Sequence, residues 1–592
     1  MRTEFFVDYD LYDTTALQDA KESTESNSAF ADISKIKENI SAPNYGTLEH
    51  NFFVLDGSIE EFPDDPDNLV YFSKDFVQTN NDYPYAGTEL YAGDDLDGAI
   101  NEEFQKQTIV IDFTENHSSY GITLYFLNEY PTELGVEWFG LDGILKSRKR
   151  FYPDSLIYFC KNPVVDYGKI IITFMRALPY HYVKLQHIKY GTTITWGYDN
   201  IKSGKMVNDT DPISDKIKID KLDFSFIDVS DEFNMGNADG LHTMLQKNQS
   251  MRPYEVVEGK TIILGTFFLD TFSTTKNVTK MSATDYKGKL ANVDFMGGRM
   301  YDGEPAGNII DEIMLSANIK DYTIDEETRN TPLYGTLKIQ TCQKALREVL
   351  FASGSMINTA LRTGVEIRKY DRTVTSKIDR EHKFSTTYEV DNYVSDVTVK
   401  YKTWALDEKV SEITKGIYGV GTHTIQLSSP ASNMTTNNGI ILEQTPYYIV
   451  LNVTDEQREI IISGQKYVGE EIAATSSIEH LKSGEVRNTK TFSGTLINFE
   501  QAKNIADNIL DYYQLQQIIQ TKHLSSGEKS GDWLEIENSS WKYGNLVASV
   551  ESMTTDLTGG FISTAKCRGY YKMTSEYYYA DHEVYTGEDA II

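Results

Sequence analysis

The residues best suited to chemistry in this 592-residue chain are acidic and aromatic, and they fall close together in its first quarter. The loop GDDLDG at 93–98 gathers Asp94, Asp95 and Asp97, a concentration of carboxylate oxygens of the kind a hard cation such as calcium requires. Its spacing is not that of an EF-hand loop, and the plain alternative is a solvated acidic turn. Just upstream, Tyr83, Tyr85 and Tyr91 offer flat rings on which a sugar could stack. Trp138 and Phe139 extend the aromatic set, although GVEWFG around them reads as a strand whose rings belong in a sheet. No catalytic pattern accompanies these residues. The chain has no HExxH, no P-loop, no GxSxG and no GxGxxG after a strand. His242, His382 and His423 stand apart, with no second ligand at metal-binding spacing. Cys160, Cys342 and Cys567 form neither a CxxC pair nor a disulfide framework, so buried free thiols are expected. With 88 acidic residues, two carboxylates at any chosen spacing carry no weight as an acid/base pair. The expectation is a protein that is not an enzyme, with no cofactor beyond a possible calcium ion.

The 88 Asp and Glu face 56 Lys and Arg, a formal net charge of −32. Nucleic-acid readers neutralise phosphates with clustered basic residues, so no sequence-specific binding of that kind is expected. The one compact basic run, SRKR at 147–150, reads as a solvated hairpin end. No stretch approaches 18 apolar residues and MRTEFFVDYDLYD lacks the apolar run of a secretory leader, which predicts synthesis in the cytosol and no membrane span.

The elements that must hold these residues are mostly strands. Residues 14–40 are polar, and PNYGTLEHNFFVLDG at 43–57 suggests a strand ending at Asp56–Gly57. The segment EEFPDDPDN at 60–68 reads as a linker, which sets a first boundary at 69. From 70 to 194 short apolar pieces (TIVIDFT, GITLYFL, LGVEWFG, SLIYFC, KIIITFM, YVKLQHIKYG) alternate with turn residues, the pattern of a β-sandwich. From 195 to 300 come KIDKLDFSFID, then YEVVEGKTIILGTFFLDTF with Glu258–Gly259 as a hairpin turn, then VTKMSATDYKGKL. A small α/β segment at 301–383 follows. Ile309, Ile310, Ile313 and Met314 share one face of a first helix there. Cys342, Ala345, Leu346, Val349 and Leu350 share one face of a second, before the strand TGVEIRKYD at 363–371. Residues 384–571 form a second β region. Its strand at 393–404 turns Val397, Val399 and Tyr401 inward, and further strands follow at 438–454 and 458–468. Its helix at 499–517 carries a capping box at Asn498 and Gln501 and a core stripe of Phe499, Ala502, Ile505, Ala506, Ile509, Leu510 and Tyr513, with Asp507 and Asn508 facing away. The last segment, 572–592, is acidic and Tyr-rich with no core pattern.

Two resemblances follow. The order of entry strand, Gln-Lys-Ala-Leu helix, Ala-Ser-Gly turn and Gly-Val-Glu-Ile-Arg strand at 336–371 is similar to the central module of bacteriophage tail baseplate hub (tail-tip) proteins. A hairpin ending Gly265-Thr266-Phe267-Phe268 and a strand reaching Ala283-Thr284-Asp285-Tyr286 resemble the first tube-like domain of the same family. The pieces of 70–194, closing on Leu185–Gly191, resemble a discoidin-like jelly roll.

The hub resemblance spans 43–57 and about 200–571. It implies a mainly β, α+β fold with two tube-like β-barrel hub domains. The first is built from 1–69, with 43–57 as its opening strand, and from 195–300; the second is 384–571. A small α/β linking domain at 301–383 joins them, and the sandwich at 70–194 is inserted in the first. It further implies a homotrimeric ring in which the two barrels alternate. The partners would be distal tail and tail tube proteins, a tape-measure protein and a central spike or fibre. DNA would pass through the ring, in a virion tail baseplate assembled in the host bacterial cytoplasm. A charge of −32 suits a passage that must not hold phosphate. The jelly-roll resemblance implies calcium near a loop such as that of Asp94, Asp95 and Asp97, and a ligand loop such as that of Tyr83, Tyr85 and Tyr91. Host recognition through a surface glycan is therefore one alternative role. A tail-associated cell-wall lysin is the other, and it would need a catalytic extension beyond the second barrel.

Overall fold

The computed structural model describes residues 3–24, 53–54, 108–126, 130–176, 184–237, 240–297, 299–454, 458–479, 481, 486–537 and 544–572. Most of these residues are in strands, arranged in several sheets, with few helices. Strand β1 (Thr3–Tyr12) opens the chain. Phe5, Val7, Tyr9 and Leu11 alternate into a core while Phe6, Asp8 and Asp10 take the opposite face.

At the end of β1 the chain leaves its sheet on a long excursion. Tyr12 pairs with Gly191, and the Asp13 amide donates to the Tyr190 carbonyl at 2.9 Å, so departure and return lie on adjacent strands. Gly191 has a φ of +140°, and a Cβ there would lie 1.9 Å from the Leu11 carbonyl oxygen, which only glycine avoids. Within the excursion, β2 (Thr108–Phe126), β3 (Glu133–Phe139), β4 (Leu145–Phe151), β5 (Ile157–Arg176) and β6 (Lys184–Lys189) make one antiparallel sheet in the order β6–β2–β5–β3–β4. Phe53–Val54 adds to β6 and Lys21–Thr24 to β2. Its core includes Ile109, Leu134, Trp138, Ile170 and Phe174. The SRKR run falls on the edge strand β4, with Arg148 paired to Glu137 and Arg150 3.7 Å from Glu133. A charged edge discourages pairing with a further strand.

The opening strand of the first β unit is therefore 3–12 and not 43–57, because Phe53 pairs with Leu185 inside the excursion's sheet. Likewise the strands of the excursion begin upstream of residue 70, at Lys21. The alternation in FFVDYDLY is the stronger strand signal, since Phe5, Val7, Tyr9 and Leu11 fall on one apolar, buried face and Phe6 and Asp8 on a half-buried one.

After β7 (Gly191–Trp196) come β8 (Ile201–Asp209), β9 (Lys221–Ile227), β10 (Ser250–Val257), β11 (Lys260–Ile263), β12 (Phe267–Thr275) and β13 (Val278–Thr284), then helix α1 (Tyr286–Ala291). Their order in space is β8–β9–β13–β12–β10–β1–β7, and β11 folds back on β10. The Glu258–Gly259 turn has φ of 50° and 80°, the left-handed pair a tight hairpin needs.

The middle of the chain is α/β. Helix α2 (Ala306–Ser316) buries Ile309, Ile310, Ile313 and Met314, and α3 (Cys342–Ser353) buries Cys342, Ala345, Leu346, Val349 and Leu350. Thr341 caps the start of α3, and Gly354, in the left-handed region at φ 64°, ends it. Strand β14 (Val365–Lys369) lies between Ser355–Asn358 and Tyr322–Ile324.

The second β region consists of β15 (Val374–Ile378), β16 (Lys383–Val390), β17 (Asp396–Tyr418), β18 (Arg458–Ser477), α4 (Phe499–Tyr513), β19 (Gln517–Leu524), β20 (Trp533–Ile536), β21 (Leu546–Asp556) and β22 (Ile562–Tyr571). Strands β17 and β18 pair from Asp396↔Ser477 to Tyr418↔Arg458 as one long ribbon. The ribbon carries a small sheet of its own, with Ile425, Ile449 and Leu451 in its core. The base of the ribbon and α4 share a single core with α2 and α3, running from Leu290 to Ile509. The expected boundary at 383 thus divides the sequence but not the packing.

Strands β16, β19, β22 and β21 neighbour one another in that order, and β21 continues onto β8. The two β regions therefore form one 14-stranded sheet. Among the described residues its strand order is open, with no pairing that closes either region into the barrel expected from sequence.

Candidate functional site

The SATDYKG motif at 282–288 runs from β13 into α1. Asp285 is the N-cap of α1, its carboxylate accepting from the Gly288 amide. Two residues on, Lys287 turns back into the protein and is 1% exposed. Its Nζ donates to Asp220 Oδ1 at 2.7 Å and to the Asp209 carbonyl at 3.0 Å, and lies 3.4 Å from Asp285 Oδ2. The Thr359 hydroxyl, from the α/β middle, sits 2.5 Å from Asp285 Oδ2 and 3.1 Å from Asp220 Oδ2. Burial pushes the Asp285 carboxyl pKa up, against the attraction of Lys287. For Lys287 burial alone would lower the pKa, but the charges of Asp220 and Asp285 more than offset it and hold it raised. The ammonium is therefore charged at neutral pH and fully occupied. A buried, satisfied cluster of this kind holds elements in register and leaves no group free to react.

The same seam reaches the second β region. Thr210 donates to the Ser530 hydroxyl at 2.8 Å, and the Asn358 side-chain amide donates to the Ser530 carbonyl at 3.0 Å. Beside it lies the strand joint, where Lys205 to Asp209 of β8 pair with Asp556 to Ser552 of β21. One face of the sheet is continuous across this joint. A groove of about 900 Å³ runs over it, with a floor rich in hydroxyls such as Ser203, Ser225, Ser282, Thr554 and Thr564. Its charged residues are Lys205, Lys280 and Lys522 against Asp223 and Asp556. In register, Lys205 stands opposite both Asp223 and Asp556. This face is close to neutral, so the chain's net charge of −32 does not describe it. The acid excess of the composition is not carried by the residues that line this groove.

The β regions repeat one another. In space β8–β9–β13–β12 and β16–β19–β22–β21 are each the first, second, last and next-to-last of those strands in chain order. The first halves of β12 and β21 pair with a preceding strand, β10 and β20. The second half of β21 pairs with β8 of the other unit. Among the described residues, the second half of β12, Thr271–Thr275, and the outer edge of β16 have no such partner. Phe384, Tyr388 and Val390 on β16 are 60%, 45% and 77% exposed, a bare apolar edge.

Of the residues singled out from sequence, Asp94, Asp95 and Asp97 and the aromatic set Tyr83, Tyr85 and Tyr91 lie outside the described residues. Trp138 is fully buried in the core of the excursion, so it is no part of an exposed sugar platform. His242, His382 and His423 stay apart, and His423 bonds the Gly419 carbonyl. Among the described residues no group of three His, Cys, Asp or Glu side chains is placed to hold a metal. All three cysteines are free and buried, and burial pushes the Cys160 and Cys567 thiols up. Among the described residues no helix is long and apolar enough to cross a membrane.

Sequence reading missed the Asp220–Lys287–Asp285 cluster and a second one at the root of the excursion. There His117 Nδ1 lies 3.1 Å from Asp13 and Nε2 3.0 Å from Asp19. Each cluster is completed from a distant part of the sequence, Asp220 for Lys287 and His117 for Asp13 and Asp19, so no local spacing announces it.

No protein-family model matches the chain, and no curated protein does. Solved structures do. The tail protein from Neisseria meningitidis MC58 is 11% identical with a TM-score of 0.38, over 62% of this chain and 92% of that one. The 43 kDa tail protein of prophage MuSo2 from Shewanella oneidensis is 8% identical with a TM-score of 0.36, over 63% and 95%. A chain of the phage P2 baseplate is 8% identical with a TM-score of 0.22, over 74% and 98%.

Proposed function

We propose that this chain is a structural baseplate hub, or tail-tip, protein of a phage or phage-like tail. Three copies form a ring that joins the tail tube to a central spike or fibre and lets DNA pass. The observation that carries this reading is the repeated four-strand unit, joined to its twin edge to edge through β21 and β8, with one matching donor edge and one matching acceptor edge left over. A joint of that kind between unlike ends propagates from copy to copy and stops only when the ring closes. The second half of β12 in one copy then takes β16 of the next, as β21 takes β8 within the chain. Six units result from three copies. The hydroxyl-rich, nearly neutral face suits the lumen, because it presents no run of lysines to trap phosphate. The role is one of framework, not of catalysis, and its place is the virion tail, reached by assembly in the host cytoplasm with tube and tape-measure proteins.

Native mass spectrometry of the full chain and of assembled tail tips tests this. Three copies are expected. Thr274→Pro on β12 and Thr386→Pro on β16, whose amides face the unpaired edges, should each leave the monomer folded and abolish the trimer. A wild-type chain that stays monomeric within isolated tail tips, or trimers untouched by both substitutions, would sink the reading.

A further inference from the structure

A basic concavity of this acidic molecule lies against the α/β middle. A cleft of about 690 Å³ opens between the first half of α3, the loop before β9 and the root of the β17–β18 ribbon. Lys216, Lys338, Lys344, Arg347 and Lys402 line it, against only Asp215 and Glu348. Arg347 holds Asp215 at 3.1 Å and Glu348 at 2.9 Å, and the Thr495 amide and hydroxyl donate to Glu348 at 2.9 and 3.0 Å. Both carboxylates are thereby taken. Among the described residues none of the four lysine ammonium groups is ion-paired, in a chain where acid outnumbers base 88 to 56.

The wall is aromatic as well as basic. Trp404 and Tyr447 line the cleft, and the Trp404 indole N–H is buried with no acceptor. Trp404 is paired with Gly469 across the ribbon, where a Cβ would come within 3.0 Å of the ring, so the glycine makes room for the indole. Four unpaired lysines beside two flat rings describe a site for an extended anion that also carries rings.

We infer that this cleft binds an acidic, tyrosine-bearing polypeptide segment. The charge of the chain argues for that occupant over a phosphate polymer, because its own sequence contains such segments. Residues 573–592 carry Glu576, Asp581, Glu583, Glu588 and Asp589 together with four Tyr and no Lys or Arg. Carboxylates meet the lysines, and tyrosine rings meet Trp404, Tyr447 and the lysine stems.

A labelled peptide of sequence 573–592 is the probe. The receptor is the full-length chain carrying Glu576→Gln, Asp581→Asn, Glu583→Gln, Glu588→Gln and Asp589→Asn, so that its own copy of the segment does not compete. Saturable binding is expected, weakening about tenfold or more as salt rises from roughly 50 to 300 mM. Adding Lys338→Glu and Lys344→Glu should weaken it at least about tenfold more while leaving circular dichroism and Tm unchanged, because both side chains are exposed and unpaired. Trp404→Phe should remove the accompanying change in indole fluorescence. Absence of saturable binding, or binding indifferent to the lysine reversals, overturns the inference. So does tighter binding of inorganic polyphosphate of matched charge, which would make the cleft a phosphate-polymer site.

Discussion

Lys287 shows how much a single buried charge can organise. It ties β8, β9 and α1 together, and through Thr359 the α/β middle, from a position shut off from water. Replacing it with methionine strands two carboxylates, and unfolding of the full chain should register a loss of about 3–5 kcal/mol. His117 makes a different prediction. Burial would lower its pKa, but hydrogen bonds to Asp13 and Asp19 and their charges outweigh that and hold it raised. A group raised on folding stabilises fully below its unfolded value, about 6.5, and the benefit is lost as pH rises through the folded value. The melting temperature of the wild type should therefore fall between mildly acidic and mildly alkaline pH, and the fall should shrink in His117→Gln. A parallel fall in both proteins would remove His117 as its cause.

At the scale of elements, α4 is the clearest case of pattern becoming packing. Its capping box at Asn498 and Gln501 is present, and Ala502, Ile505, Ala506 and Ile509 are buried as their spacing requires. The helix stops at Tyr513, Phe499 at its start is 62% exposed, and Tyr512 at its end, off the expected stripe, is buried with Leu515, Trp533 and Val547. Tyr512 bonds Glu551, which also meets Arg568, so a polar network turned the stripe further than apolar periodicity predicts. Ile509→Ala should cost about 2–5 kcal/mol in thermal unfolding of the full chain. Asp507 is not idle, since it accepts from Ser476 and from Lys503. Asp507→Ala should cost about 1 kcal/mol, where a free surface residue would cost less than half of that.

For the whole molecule, the excursion tests modularity. Because Tyr12 pairs with Gly191, residues 13–190 hang from two neighbouring strands. Replacing them with a short Gly/Ser linker should leave the rest folded, with a cooperative melt and an unchanged oligomeric state, as inserted modules permit. Loss of all soluble protein on this deletion would show instead that the core around Tyr9 and Trp196 depends on it. Edge substitutions on β12 and β16 read the assembly scale separately, through stoichiometry alone.

The helical stripes of 306–316 and 342–353, the Glu258–Gly259 turn and the Asn498 cap were all legible in the sequence, because each is a local periodicity or a local hydrogen bond. So was the mainly β character of the chain. The partners of β1, the continuation of β21 onto β8 and the closing of Lys287 on Asp220 were not. Those join residues 67 to several hundred positions apart, and which edges meet depends on what each strand's other face has already buried. Net charge illustrates the same division. Composition set its size, while the tertiary structure decided where it lies, leaving one face hydroxylated and near neutral and one cleft basic in a molecule of −32.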